Sequence, residues 1–291
     1  MRYYSPLRYP GGKGRLADYI RLLLEKNCIE GGTYVEPFAG GAAVALALLL
    51  KGAVSRIIIN DLSRPIYSFW FSVLNETKAL LKLIEETEVT ITEWRRQKQV
   101  QLNPDSFSTL ELGFSTFFLN RTNRSGILSA GVIGGQQQLG KWKLDARYNK
   151  DILIARIKRI AAVRDKIELY CCDVFQFINI IVPSLDSKTL IYFDPPYFSK
   201  GDTLYDNYFE AEDHRRLAAV IKKDVKIPWI ISYDDVPEIA RIYKSYELRR
   251  FQLSYSAARR YKGTEIMIYS ESCHPPTKEE IGKAGIRVAF I

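Results

Sequence analysis

The chain has 291 residues, of which 47% are hydrophobic and 26% are charged, and its formal net charge is +9. A chain of this length and composition buries a large core, as one domain with an added lobe or as two domains, and is not a disordered tail. The positive charge favours a polyanionic partner; a membrane surface or solubility alone would also account for it.

Residues 33–60 predict the first half of a doubly wound α/β nucleotide fold. Residues 33–36 have the character of a buried strand, residues 38–41 form a glycine turn, and residues 42–50 are strong helix formers that stop before Gly52. Residues 56–60 form a second strand with Asp61 directly after it. In such folds ligands bind at the carboxyl ends of the strands.

Residues 66–150 differ in character from the segments on either side. Residues 66–110 have helical spacing without a strand pattern, which predicts an inserted helical subdomain. Residues 114–150 are rich in Gly, Asn, Ser and Gln, which indicates a long functional loop or hairpin, or else flexible filler, and the length of the stretch favours the functional loop or hairpin. Six basic residues against one acid make this stretch a candidate for contact with nucleic acid, although a solvated face would have the same composition.

From residue 151 the α/β pattern returns. It predicts a helix, a strand that ends before Asp173, a strand over residues 190–193, and a further helix and strand. Residues 249–255 and 265–270 predict a terminal hairpin whose connection carries a second basic group, Arg259, Arg260 and Lys262. The strand at 190–193 runs directly into the sequence DPPYF, at the kind of position where ligands bind; Asp-Pro pairs also simply initiate turns.

Cysteine and histidine usage bears on metals and on compartment. The four cysteines have no C-x-x-C spacing and the chain has only two histidines. We therefore expect no metal centre and a reducing compartment. The amino terminus lacks a signal-peptide core and no apolar run is long enough to span a bilayer, so we expect a cytoplasmic protein without a membrane partner.

The turn FAGG and Asp61 have the arrangement of a nucleoside site. Gly40 lets the backbone approach a ligand closely, and an acid after the next strand can accept hydrogen bonds from ribose hydroxyls. The turn does not reproduce G-x-G-x-x-G, so a pyrophosphate-containing dinucleotide fits less well than a nucleoside without phosphates. Glu36 agrees with this because its carboxylate would repel pyrophosphate and attract a cationic ligand. Asp173 is either a third contact, to an adenine amine, or a helix N-cap.

A set of motifs in this chain resembles the DNA N6-adenine methyltransferases of the Dam type. The motifs are RYPGGKGRL (8–16), EPFAGG (36–41), NDL (60–62), FFLNR (117–121), CDVF (172–175) and DPPY (194–197). The resemblance implies an S-adenosylmethionine-dependent methyltransferase sheet with a cofactor-binding and catalytic domain at 1–65 and 151–291 and a target-recognition insert at 66–150. It implies S-adenosylmethionine as cofactor, held by Tyr9, Lys13, Glu36, Phe38, Gly40, Gly41, Asp61, Leu62, Asp173, Val174 and Asp194.

The resemblance also gives the DPPY motif a chemical role. Asp194 and the carbonyl of Pro195 would accept the two hydrogens of adenine N6, Pro196 would fix the backbone, and Tyr197 would stack on a base flipped out of the duplex. Double-stranded DNA is the implied partner, bound by a monomer, with a restriction endonuclease in the same system left open. The expected DNA-binding residues are Asn120, Arg121, Asn123, Arg124, Arg259, Arg260 and Lys262, with Asn120 and Arg121 as structural braces in the alternative.

Three other interpretations stay open at this point. The chain could methylate another amino group, such as cytosine N4, an RNA adenine or a protein amide. It could be a catalytically idle DNA-binding protein on the same scaffold, or, less in keeping with the motifs, a dinucleotide oxidoreductase. Turnover, the modified base and the bound cofactor distinguish them.

Overall fold

The computed structural model describes residues 4–8, 13–199, 209–256 and 260–290, with the backbone alone at 253–256 and 260–262. Within these residues the strands are β1 Thr33–Glu36, β2 Arg56–Asn60, β3 Ile167–Tyr170, β4 Thr189–Phe193, β5 Trp229–Asp234, β6 Glu247–Ser256, β7 Arg260–Tyr269 and β8 Ala289–Phe290. The α-helices are Ala17–Lys26, Ala43–Leu50, Arg64–Asn75, Thr77–Glu86, Ile91–Leu102, Thr109–Thr122, Lys150–Ala161, Val174–Ile180, Ala211–Asp224, Pro237–Ile242 and Lys278–Lys283.

The strands form one sheet in the order β3-β2-β1-β4-β5-β7-β6-β8. β1 is parallel to both β2 and β4, and β4 is parallel to β5. β7 is antiparallel to β5 and β6. The chain thus builds outward from β1 through β2 to β3 and then returns to place β4 on the other side of β1. This reversal confirms the predicted doubly wound α/β sheet and marks where a ligand crevice is expected.

The described chain forms two compact units. One contains the described part of Met1–Gly12 together with Ser63–Leu169, and the other contains Lys13–Leu62 and Tyr170–Ile291. The boundary therefore falls within β3. The assignment of residues 66–150 to target recognition stays a prediction, because compactness does not say what a unit does.

The unit that contains most of the sheet has an aliphatic and aromatic core. Val35, Ile191 and Ile231 from neighbouring strands are fully buried against Phe177 and Leu217 of the helices. These strands are apolar on both faces, as expected for parallel strands covered by helices on both sides.

The other unit packs helices against one another. The rings of Phe69 and Phe117 stack with centroids 5.9 Å apart. Gly113 makes the approach of two helices possible, because a Cβ atom there would lie 2.5 Å from the carbonyl oxygen of Ser68.

The prediction of a loop or hairpin over residues 114–150 is wrong for its first part. Residues 114–122 belong to the helix Thr109–Thr122, which begins with a capping box between Ser108 and Glu111. Ten of its residues are buried, on all sides of the helix, so it lacks the amphipathic periodicity that identifies surface helices in a sequence. The predicted terminal hairpin is confirmed as β6 and β7. In the described ranges no helix combines the length and apolarity needed to cross a membrane.

Candidate active site

The two most specific motifs follow neighbouring strands. In the β1–β4 pair Val35 lies opposite Ile191, so β1 ends at Glu36 and β4 at Phe193 on the same edge of the sheet. EPFAGG therefore starts at the last residue of β1, and DPPY directly follows β4. Both lie where the strand order of the sheet reverses. Sequence spacing could not show this adjacency, because the two motifs are more than 150 residues apart.

The glycine turn after β1 is tightly fixed. Gly40 and Ala42 both adopt a positive φ of 46°, which costs a glycine little and an alanine more. The N–H of Gly40 donates to the Asp61 carboxylate over 2.7 Å. Asp61 thus holds the turn from the end of β2, at the place where the sequence predicted a ribose contact. That contact stays a prediction.

Asn60, which the sequence analysis did not single out, connects three strand ends. Its amide donates to the carbonyls of Pro37 and Cys172 over 3.0 and 2.9 Å, and its side-chain oxygen accepts from the N–H of Cys172 over 3.0 Å. A fully buried amide with these partners positions the segments after β1 and β3. Its signal in the sequence was its place in the NDL motif.

Glu36 and Asp173 add carboxylates at the same edge. Glu36 is buried, accepts the N–H of Ala45 over 3.0 Å, and has its pKa raised to about 8 by burial. Asp173 is exposed and caps the helix Val174–Ile180, accepting the N–H groups of Phe175 and Gln176 over 2.9 and 3.0 Å. The N-cap alternative is thus correct for Asp173, and an adenine contact by its carboxylate stays a prediction.

The remaining predicted cofactor residues differ in exposure. Val174 is buried, Leu62 is exposed, and the half-buried ring of Phe38 packs edge-on against Phe209. Tyr9 lies outside the described residues. Asp61 follows β2 and Asp173 follows β3, at the same edge of the sheet as a glycine turn without a phosphate-binding pattern. These acceptors fit a nucleoside with a cationic amino-acid part.

Asp194 is held by a hydrogen-bond chain from two strands. Its Oδ1 accepts the Ser232 hydroxyl over 2.7 Å, and that hydroxyl lies 2.8 Å from the Tyr192 hydroxyl. The Asp194 side chain is 29% exposed whereas Ser232 is fully buried. The carboxylate of Asp194 is therefore fixed by a buried hydroxyl, while part of its side chain is accessible from outside.

Lys13 joins Asp194 to a second, buried acid. Its Nζ lies 3.4 Å from Asp194 Oδ1 and 2.5 Å from Glu265 Oε2, and it donates to the Tyr197 hydroxyl over 3.1 Å. Tyr197 in turn donates to Glu265 Oε1 over 2.7 Å. Burial alone opposes a charged lysine, but the carboxylates of Asp194 and Glu265 raise the pKa of Lys13 well above its usual value.

The backbone of DPPYF is shaped by a further acid that the sequence analysis missed. Pro195 and Pro196 are buried, and the N–H groups of Phe198 and Ser199, after Tyr197, donate to Asp234 over 2.9 and 3.0 Å. Asp234 ends β5, the neighbour of β4. Glu265 had a signal of its own in the sequence, a single acid directly before the apolar run 266–269 of β7.

The structure divides the predicted DNA-binding residues. Asn120 is buried; its amide oxygen accepts the N–H of Arg8 over 2.7 Å and its nitrogen donates to the carbonyl of Gly126 over 2.8 Å, both within the same unit. These bonds brace that unit internally, and a brace against the catalytic domain stays a prediction. Asn123 is also buried: its amide oxygen accepts the indole N–H of Trp94 over 2.7 Å, and its nitrogen donates to two carbonyls in the following turn. The prediction that Asn123 lies at the surface is therefore wrong, because the buried indole N–H and the turn both need this amide.

Arg121 and Arg124 remain candidates. Arg124 is exposed, while Arg121 is half-buried and donates to the carbonyl of Arg147 over 2.6 Å. Burial, together with the charges of Arg8, Arg156 and Arg147, lowers the pKa of Arg121 to about 9. An anion bound beside these four guanidinium groups would offset the repulsion among them. Arg259 and the side chains of Arg260 and Lys262 lie outside the description.

Comparison with known proteins agrees with this site. The family model of D12 class N6 adenine-specific DNA methyltransferases matches residues 9–260. The chain is 24% identical over 266 residues to the type II methyltransferase M.MjaIII of Methanocaldococcus jannaschii, which covers 84% of this chain and 89% of that protein. It is 25% identical over 273 residues to the type II methyltransferase M.CviBI of Paramecium bursaria Chlorella virus NC1A, covering 86% and 90%.

Likeness to solved structures is loose. An rRNA methyltransferase from Streptomyces viridochromogenes has a TM-score of 0.38 and 11% identity to this chain, and the match covers 95% of this chain and 89% of that one. The family match spans both motif-bearing turns and confirms the resemblance found in the sequence. The chain belongs to the D12 class of N6 adenine-specific DNA methyltransferases, for which S-adenosylmethionine is the methyl donor.

Proposed function

We propose that this protein methylates N6 of an adenine flipped out of duplex DNA, within a specific recognition sequence. The observation that carries the proposal is the adjacency of the turn after β1 and the DPPY segment after β4, at the point where the strand order reverses. A cofactor at the first turn and a base at the second would meet at this edge.

Asp194 and the Pro195 carbonyl are the proposed acceptors for the two hydrogens of N6. The amine lone pair is delocalised into the ring, and acceptors on both hydrogens favour the pyramidal nitrogen that attacks. Ser232 donates to Oδ1 of Asp194 and Lys13 Nζ lies 3.4 Å from the same oxygen, so the orientation of the carboxylate is fixed. Tyr197 carries the base-stacking role, and its hydroxyl is held by Glu265.

The cofactor supplies an electrophilic methyl group on a sulfonium. In this proposal Gly40 and Gly41 approach its methionine part, Asp61 accepts from its ribose, and Asp173 and Val174 border its adenine. Glu36 lies beside the turn and favours a cationic ligand when it is ionised. Tyr9, Lys13, Phe38, Leu62 and Asp194 complete the proposed lining.

DNA recognition is assigned to residues 66–150, with Arg121 and Arg124 at phosphates or bases. It is also assigned to the basic residues Arg259, Arg260 and Lys262, of which Arg260 and Lys262 belong to the start of β7. Asn120 and Asn123 support this surface from the interior. We further propose that the protein is a monomer and that it acts in the cytoplasm. It would act there either alone or together with a restriction endonuclease.

Sequencing of modified bases in DNA from cells that express the protein tests the proposal. We expect 6-methyladenine at one position of one sequence. Asp194→Ala should lower the rate about 100- to 1,000-fold, the usual effect of losing one such electrostatic contact, while Asp165→Ala, at a 95% exposed acid, should not. Methylated cytosine, or a wild-type rate in Asp194→Ala, would refute it.

A further inference from the structure

One loop of the helical unit exposes large apolar side chains. In the 138–147 loop, Leu139 is 82% exposed and Trp142 is 61% exposed. The exposure of these two side chains is not due to the absence of a nearby core, because Leu144 and Tyr148 of the same segment are buried in it. The Tyr148 ring lies 5.4 Å from the rings of both Phe117 and Phe118. Leu144 and Tyr148 are thus buried in the unit, while Leu139 and Trp142 of the same segment are presented to solvent.

The side chain of Gln138 and the close approach at Gly134 hold the loop in this shape. The Gln138 amide donates to the carbonyls of Ile133 and Gly135 over 2.8 and 2.6 Å and accepts the N–H of Leu144 over 2.8 Å. Gly134 allows the chain to close on itself, since a Cβ atom there would lie 2.6 Å from the carbonyl oxygen of Trp142. The exposed indole is therefore presented by a fixed scaffold.

Positive charge surrounds this indole. Lys141 Nζ and Arg147 Cζ each lie 5.9 Å from the Trp142 ring centroid, within cation–π range. Lys143 is a third cation in the same loop, against a single acid, Asp145. A ring that stacks on bases, flanked by cations that pair with phosphates, is the combination found at nucleic-acid contacts.

We propose that the 138–147 loop is a DNA contact in which Trp142 stacks on a base of the duplex substrate, with Leu139 beside it and Lys141 and Arg147 on adjacent phosphates. The inference rests on the proposed function, because it takes duplex DNA as the substrate. Lys141 and Arg147 are among the six basic residues that the sequence analysis counted in this stretch; the inference adds the stacking role of Trp142 and the apolar contact of Leu139.

Intrinsic fluorescence tests this contact without any substitution. The chain has four tryptophans, and Trp70, Trp94 and Trp229 are 1%, 7% and 2% exposed, so a neutral quencher such as acrylamide reports on Trp142. We expect a quenchable fraction in the free protein that disappears when duplex DNA binds, and that is missing in Trp142→Phe. Binding itself is followed separately, by anisotropy of labelled DNA.

Affinity gives a second readout. Trp142→Ala should weaken DNA binding about 5- to 140-fold, the value of one base–aromatic stack. Trp142→Phe should recover part of this because it keeps a ring. Leu102→Ala, at a 68% exposed leucine of the same unit, serves as the matched control and should leave affinity unchanged.

Two outcomes would overturn the inference. One is DNA binding that leaves Trp142 as quenchable as before, which would leave the proposed function standing. The other is protection without DNA that rises with protein concentration, which would assign the loop to a second copy of the chain. Absence of any DNA binding or adenine methylation in the wild type would instead refute the proposed function itself.

Discussion

Lys13 and Glu265 show how much of the active site depends on buried charge. Their side chains are 4% and 3% exposed, and the amine also serves Tyr197 and Asp194. A buried ion pair adds little net stability, yet removing one partner leaves an uncompensated charge. We therefore expect the ion pair to position Tyr197 and Asp194 rather than to stabilise the fold.

Glu265→Gln should destabilise the protein by up to about 3–5 kcal/mol, because buried Lys13 loses its nearest carboxylate and is left with that of Asp194, 3.4 Å away. Lys13→Met combined with Glu265→Gln should recover much of this loss, since no unpaired charge remains. Urea unfolding of both variants and of Lys13→Met completes a double-mutant cycle. Additive effects of the two substitutions would contradict the ion pair.

Glu36 makes stability depend on pH. Its pKa rises from 4.5 to about 8 on folding, through burial above all, so the folded state keeps a proton that the unfolded state has lost. Stability therefore falls as pH rises through this interval. Relative to Glu36→Gln, the wild type should lose stability between pH 4.5 and pH 8 in urea unfolding. A constant difference between the two proteins would show that Glu36 ionises normally when folded.

Among the helices and strands, the local sequence was enough to predict those elements whose hydrophobic pattern and turn residues are clear. Strand, glycine turn, helix and strand over residues 33–60 match β1, the helix Ala43–Leu50 and β2. The helix Thr109–Thr122 was missed in part because its burial on all sides removes periodicity. Ser232, Asp234 and Glu265 were missed because strand neighbours, not chain neighbours, bring them to DPPYF.

Asn123→Ala tests the corrected role of that residue. The substitution leaves the Trp94 indole N–H and two carbonyls without the amide, at about 1–3 kcal/mol for each buried group left unpaired. Urea unfolding should therefore show a loss of more than about 1 kcal/mol, whereas Asn103→Ala, at an exposed asparagine of the same unit, should have little effect. Unchanged stability with weakened DNA binding would return Asn123 to the DNA surface.

For the molecule as a whole, the excess of positive charge is concentrated where the proposal needs it. Arg8, Arg121, Arg147 and Arg156 interact with one another in the helical unit, and burial together with this repulsion lowers the pKa of Arg121 to about 9. Folding keeps these like charges together at a cost that a bound polyanion would offset. The net charge of +9 is thus consistent with phosphate contact as well as with solubility.

The salt dependence of DNA affinity measures those contacts directly. Arg124 is exposed beside the helix Thr109–Thr122, and if it pairs with one phosphate, Arg124→Ala should weaken binding to every sequence and lower the slope of log affinity against log salt by about 0.9. If it contacts a base instead, the slope should hold while discrimination against one mismatch falls by about 1–3 kcal/mol. Arg121→Gln, checked for folding because that side chain also holds the Arg147 carbonyl, distinguishes a brace from a contact in the same assay. Arg164→Ala, at a 60% exposed arginine of the same unit, controls for net charge. If Arg124→Ala and Arg121→Gln both match the control in affinity, slope and discrimination, these arginines do not contact DNA, and Arg259, Arg260 and Lys262 become the next residues to test.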